Sequence, residues 1–100
     1  MKREEVIRLL RENMDEIKKF GVKRIGIFGS VVRNEATDES DVDIVVEFEE
    51  HRGGMKDFIG LIDFLEDLFG HQVDVLTPGG IKNIRIKSVR EKIQKELEYV

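Results

Sequence analysis

Apolar residues along this chain switch between helical and strand spacing, and the switches mark its elements. Val6, Leu9, Leu10, Met14, Ile17 and Phe20 recur at three- and four-residue steps, which puts them on one stripe of a helix. Gly21 follows, where a residue able to turn left-handed ends a helix. Val22 to Phe28 is short, rich in β-branched residues and closed by Gly29, as a buried strand should be. A brief helical turn is expected from Ser30, and Asn34 to Glu39 is polar and turn-forming. Val42 to Phe48 reads as a second strand with the unbroken apolar run Ile44, Val45, Val46. Glu49 to Met55, containing Gly53 and Gly54, is expected to be a mobile loop. The helical period returns at Phe58, Leu61, Ile62, Leu65, Leu68 and Phe69, and Gly70 closes it. Val73 to Leu76 makes a third strand, Thr77 to Gly80 a turn, and Ile86, Val89, Ile93 and Leu97 one face of a last helix. The predicted order is α-β-(short α)-β-α-β-α.

Composition narrows the possibilities. One hundred residues suit one domain, so residues 1–100 are read as a single unit. Hydrophobic residues make up 40% and charged residues 38%, enough for a modest core beneath a heavily charged surface. A net charge of −4 argues against non-specific nucleic-acid binding as the main task. The chain has no cysteine, which removes disulfides, zinc-thiolate sites and thiol nucleophiles. The charged start Met1 to Glu5 shows neither a signal peptide nor a membrane span. A cytoplasmic location is the expectation.

Three features bear on chemistry: Gly29-Ser30 after the first strand, Asp41-Val42-Asp43 at the start of the second, and Asp74 inside the third. Strand residues two apart share a face and lie roughly 6.6 Å apart, so Asp41 and Asp43 present adjacent carboxylates. Their repulsion calls for a counter-charge, and hard oxygen ligands suit Mg²⁺ or Mn²⁺. Asp74 joins them if its strand lies beside the second. The ordinary alternative is that Asp41 caps a turn while Asp43 and Asp74 face solvent. Glycine and serine at a strand end also make ordinary turns, yet there their backbone amides can cradle a phosphate. Cradle and carboxylates meet only if the first two strands run antiparallel.

At these residues the chain resembles the minimal nucleotidyltransferases of the DNA polymerase β superfamily. The resemblance rests on Gly29-Ser30-Val31-Val32-Arg33, then Ser40-Asp41-Val42-Asp43-Ile44-Val45-Val46, and Asp74 in Val73-Asp74-Val75-Leu76-Thr77-Pro78. It implies an α+β fold like the polymerase palm, with a small mixed sheet of three or four strands and helices on one face. It further implies two Mg²⁺ ions (Mn²⁺ as a substitute) on Asp41, Asp43 and Asp74. Gly29, Ser30, Arg33 and Ser40 would hold the nucleotide. The resembling family includes the antitoxins of HEPN/MNT toxin–antitoxin systems, which implies AMP transfer from ATP to a tyrosine of a HEPN-domain toxin. Two alternatives stay open: a non-catalytic antitoxin acting by complex formation, and transfer to a nucleic-acid or small-molecule hydroxyl. The acidic balance lowers the second, and direct nucleic-acid binding is not expected.

Arg33 on a surface turn also has an ordinary reading, pairing with a neighbouring carboxylate. His51 and His71 are the only histidines, too few for a histidine metal cluster. The basic set Lys82, Arg85, Lys87, Arg90, Lys92 and Lys95, interrupted by Glu91, Glu96 and Glu98, reads first as a solvated helix face and second as a contact for nucleotide, RNA or an acidic partner.

Overall fold

The computed structural model describes residues 1–100, and its centre is a mixed four-stranded sheet in the order β3-β2-β1-β4. β1 (Val22–Ile27) and β2 (Val42–Phe48) pair antiparallel, with Ile25 opposite Val46 and Ile27 opposite Ile44. β3 (Val73–Leu76) lies parallel to β2 and sets Asp74 opposite Asp43. A parallel neighbour needs a crossover, supplied by α3 (Met55–Phe69). β4 (Glu98–Tyr99) adds antiparallel to the other edge of β1.

The strand alternation decides where the core lies. Val42, Ile44 and Val46 of β2 join Ile25 and Ile27 of β1 on one face. Against them pack Val6 and Leu10 of α1 (Arg3–Glu12), Ile17 of α2 (Met14–Lys18), and Leu61 and Leu65 of α3. Each side chain so buried contributes about 1.5–3 kcal/mol of transfer free energy. The expected single helical face holds for these three helices and needs one addition. Val45, pointing the other way, meets Phe28 and Ile81 in a smaller cluster that Ile84, Ile93 and Leu97 partly cover. Those residues bring α4 (Pro78–Lys82) and α5 (Lys87–Glu96) onto the opposite face.

Three local expectations change. The first helix is interrupted at Asn13, whose side-chain amide donates to the Leu9 carbonyl at 2.8 Å. A short polar side chain competing for backbone groups in this way weakens a helix, though the apolar stripe runs on to the fully buried Ile17. No helix forms after Ser30. Hydrogen-bonded turns occupy the stretch instead, and Asn34 at φ 56° stops them from propagating. Thr77 to Gly80 is not a plain turn but the start of α4, where the Thr77 hydroxyl accepts from the Gly80 N–H at 3.0 Å and Pro78 takes the first helical position. Residues 49–54 form the expected loop, in which Arg52 donates to both Asp57 oxygens at 2.8 and 2.9 Å and to the Lys19 carbonyl at 3.0 Å.

Candidate functional site

The antiparallel pairing of β1 and β2 returns the chain to where it left, so the end of β1 and the start of β2 lie together. The Phe28 N–H donates to the Asp43 carbonyl at 3.1 Å. Gly29 follows at φ 73°, and a Cβ placed there would run into the Asp43 carboxylate. The backbone amide of Ser30 also lies on that side, close enough to lower the proton affinity of the same carboxylate. The Gly29-Ser30 bend therefore faces Asp43 directly, with no side chain between them.

Register brings in the third carboxylate. Residues opposite one another in a parallel pair point to the same face, so Asp43 and Asp74 stand side by side. Asp41, just before β2, approaches Asp74 closely enough to share a hydrogen bond with it. Asp43 is half-buried, whereas Asp74 is exposed on the edge strand, more open than its apolar sequence neighbours suggest. Burial, then the charges of Asp74 and Asp41, push the Asp43 carboxyl up to about 6, while Arg33 and the Ser30 amide partly offset them. Asp74 is raised as well, by burial first and then by the charge and hydrogen bond of Asp41.

The remaining sequence candidates are engaged elsewhere. Arg33 spans Glu96 at 2.6 Å and Glu35 at 2.9 Å, the ordinary carboxylate pairing, although its charge is still felt at Asp43. The Ser40 hydroxyl accepts from the Thr37 N–H at 3.0 Å and lies 3.1 Å from the Thr37 hydroxyl. That turn fixes the chain immediately before Asp41. The partnership of Arg33 with Glu96 had no sequence signal, because the two are 63 positions apart.

The donor set suits a hard divalent cation: three carboxylates in one place, mutually repelling and short of positive charge. No three acidic or histidine side chains close into a cage by themselves. Mg²⁺ does not ask for one, since it is commonly held by one or two carboxylates together with substrate phosphates and water.

A pH dependence follows for the metal-free protein. Its Asp43 carboxyl titrates at about 6, above the unfolded-chain value of about 3.9. The folded state therefore binds the proton more tightly, so this contribution to stability is complete below about pH 4 and is lost as pH rises through the folded value. The melting temperature should fall across that window, and Asp43→Asn should flatten the slope. An unchanged slope in the variant would remove Asp43 as its source.

A mixed sheet with a β-α-β crossover, helices on both faces and an acidic face opposite a glycine bend defines the class of this chain: it is a nucleotidyltransferase. Residues 7–100 match the family described as Nucleotidyltransferase domain, and the chain belongs to that family. Protein adenylyltransferase MntA of Thermococcus cleftensis is 40% identical over 98 residues, covering 97% of this chain and 94% of that protein. A Methanocaldococcus jannaschii relative, for which protein adenylyltransferase activity is also proposed, is 45% identical over 97 residues, covering 96% and 95%. A solved structure proposed to be a minimal nucleotidyltransferase superimposes with a TM-score of 0.74 at 31% identity, covering 98% of this chain and 95% of that one. A toxin–antitoxin crystal structure with AMP-PNP shares the fold, with a TM-score of 0.61 at 18% identity over 99% of this chain and 72% of that one.

Proposed function

We propose that this nucleotidyltransferase moves AMP from ATP onto a tyrosine hydroxyl of a HEPN-domain toxin in the cytoplasm, and silences the toxin by that modification. The observation that carries the proposal is that Asp43 and Asp74 stand side by side on neighbouring strands, with Asp41 close to Asp74 and the Gly29-Ser30 bend against Asp43. The relatives that bear the name protein adenylyltransferase support the choice of nucleotide and of a protein acceptor.

The residues divide the work as follows. Asp41 and Asp43 would hold two Mg²⁺ ions, which when bound would supply positive charge to the triphosphate. Gly29 and Ser30 offer their amides to the phosphates. Arg33 exchanges Glu35 and Glu96 for a phosphate oxygen, and Ser40 positions Asp41 through its turn with Thr37. Asp74, exposed and with its proton affinity raised, takes the tyrosine proton. The phenolic oxygen forms a bond to the α-phosphorus, the bond to the β-phosphate oxygen breaks, and pyrophosphate leaves. Alignment and charge neutralisation carry phosphoryl transfer of this kind, so a small scaffold suffices.

The test is direct. ATP labelled on the α-phosphate, mixed with Mg²⁺, this protein and the HEPN-domain toxin, should label the toxin on tyrosine, and chelation with EDTA should stop the reaction. Label on RNA or on a small hydroxyl compound, with none on the toxin, would redirect the acceptor. No label on any acceptor would sink the reading.

A further inference from the structure

The apolar stripe of the last helix runs off the edge of the domain. Ile93 and Leu97 pack on Phe28, Val45 and Ile81, but Ile86, which caps α5, and Val89 in its first turn are 63% and 43% exposed. A helix face is stable when its apolar side is covered, and here only the C-terminal half is. Charge is distributed just as unevenly. Residues 82–95 hold six of the seventeen basic side chains and one acid, Glu91, of the twenty-one acidic ones, which leaves eleven basic against twenty acidic elsewhere. Among the six, Lys82, Arg85, Lys92 and Lys95 form no ion pair, Arg90 donates only to the Ile84 carbonyl, and Lys87 reaches Glu91 only at 3.8 Å.

We infer that Ile86 and Val89, with their basic rim, are the docking surface for the acceptor protein, which must present an apolar ridge flanked by acidic side chains. The surface belongs to the active face, because α5 covers the cluster on the aspartate side of the sheet and its last residue, Glu96, holds Arg33. At a rise of about 1.5 Å per residue, the ten steps from Ile86 to Glu96 span roughly 15 Å, well within the footprint of one protein partner. A second copy is a poor occupant, since a two-fold contact through this helix would press two basic segments together. Nucleic acid would satisfy the basic residues and leave two exposed aliphatic side chains facing phosphate, with no aromatic ring among residues 82–95 on which a base could stack.

This inference rests on the proposed transfer to a toxin, and its experiment separates the two. Ile86→Asp/Val89→Asp and, separately, Arg85→Glu/Lys92→Glu would be compared with wild type for ATP binding, for calorimetric binding of the HEPN-domain toxin in the presence of a non-hydrolysable ATP analogue, and for label transfer. Both variants change exposed side chains, so an unaltered circular dichroism spectrum and unaltered ATP binding are expected. Toxin affinity should fall on the order of a hundredfold for the apolar pair, and the loss for the charge pair should shrink as salt is raised. Wild type that binds without transferring label, while the apolar variant fails to bind, removes the catalytic reading and keeps this surface. Transfer and binding unaffected in the apolar variant keep the catalytic reading and overturn the surface. No toxin binding by wild type overturns both. A wild-type dimer that the apolar variant dissolves would give the face to a second copy, and salt-sensitive duplex RNA binding lost on charge reversal with toxin binding intact would give it to RNA; either overturns the inference.

Discussion

Replacing Asp41 and Asp43 together by asparagine should lower label transfer by a factor on the order of a thousand or more, a barrier increase of about 4 kcal/mol. Asparagine keeps the size of the side chain and loses its anionic oxygen, so the hard-cation ligands disappear while the strand remains. Stability should move the opposite way. In the metal-free protein Asp43 sits at about 6 because burial and two neighbouring carboxylates oppose its charge. Removing two of the three charges relieves that opposition, and the double variant should melt above wild type at neutral pH. Lost transfer in a protein that melts higher cannot be ascribed to misfolding. Retained transfer would end the assignment of these residues. Equal protection of cells by the double variant and by wild type would show that complex formation alone neutralises the toxin.

Gly29→Ala is expected to reduce transfer about a hundredfold, some 2.7 kcal/mol, and to destabilise the fold by about 1–2 kcal/mol. Two effects combine at this position. A φ of 73° is a left-handed conformation that a residue with a Cβ adopts at a cost, and the added methyl would strike the Asp43 carboxylate. Relief requires either the bend or Asp43 to move, and both are parts of the site. Gly79→Ala is the matched control, because a Cβ there meets nothing within 4 Å, and its effect should stay within about 0.5 kcal/mol. Denaturant melts and label transfer on the two variants check both halves. If Gly29→Ala behaves like the control, the close approach of bend and carboxylate has no functional weight.

Much of this molecule was readable as periodicity. Leu61, Leu65 and Phe69 on one side of α3, and the run Ile44 to Val46 in β2, are buried as their spacing requires. Readings failed where a single side chain overruled the pattern. Asn13 breaks a helix that its apolar neighbours continue, and Thr77 with Pro78 starts one where two glycines suggest a turn. β4 could not be anticipated, because two residues carry no period. Tyr99 is placed by the sheet edge of β1 and by the Arg24 guanidinium 3.8 Å from its ring centroid.

The candidate site divides along the same line. Sequence alone determined that Asp41 and Asp43 flank the start of a strand and that Gly29-Ser30 ends one, because the apolar run and glycine's access to positive φ are local properties. Tertiary structure decided that Asp74 stands beside Asp43, that the bend faces Asp43, that Arg33 rests on Glu96, and that Ile86 and Val89 remain uncovered. Those relations depend on which strands become neighbours and on where a helix outruns the sheet beneath it. Both are set by burial of the whole chain and are written in no single segment.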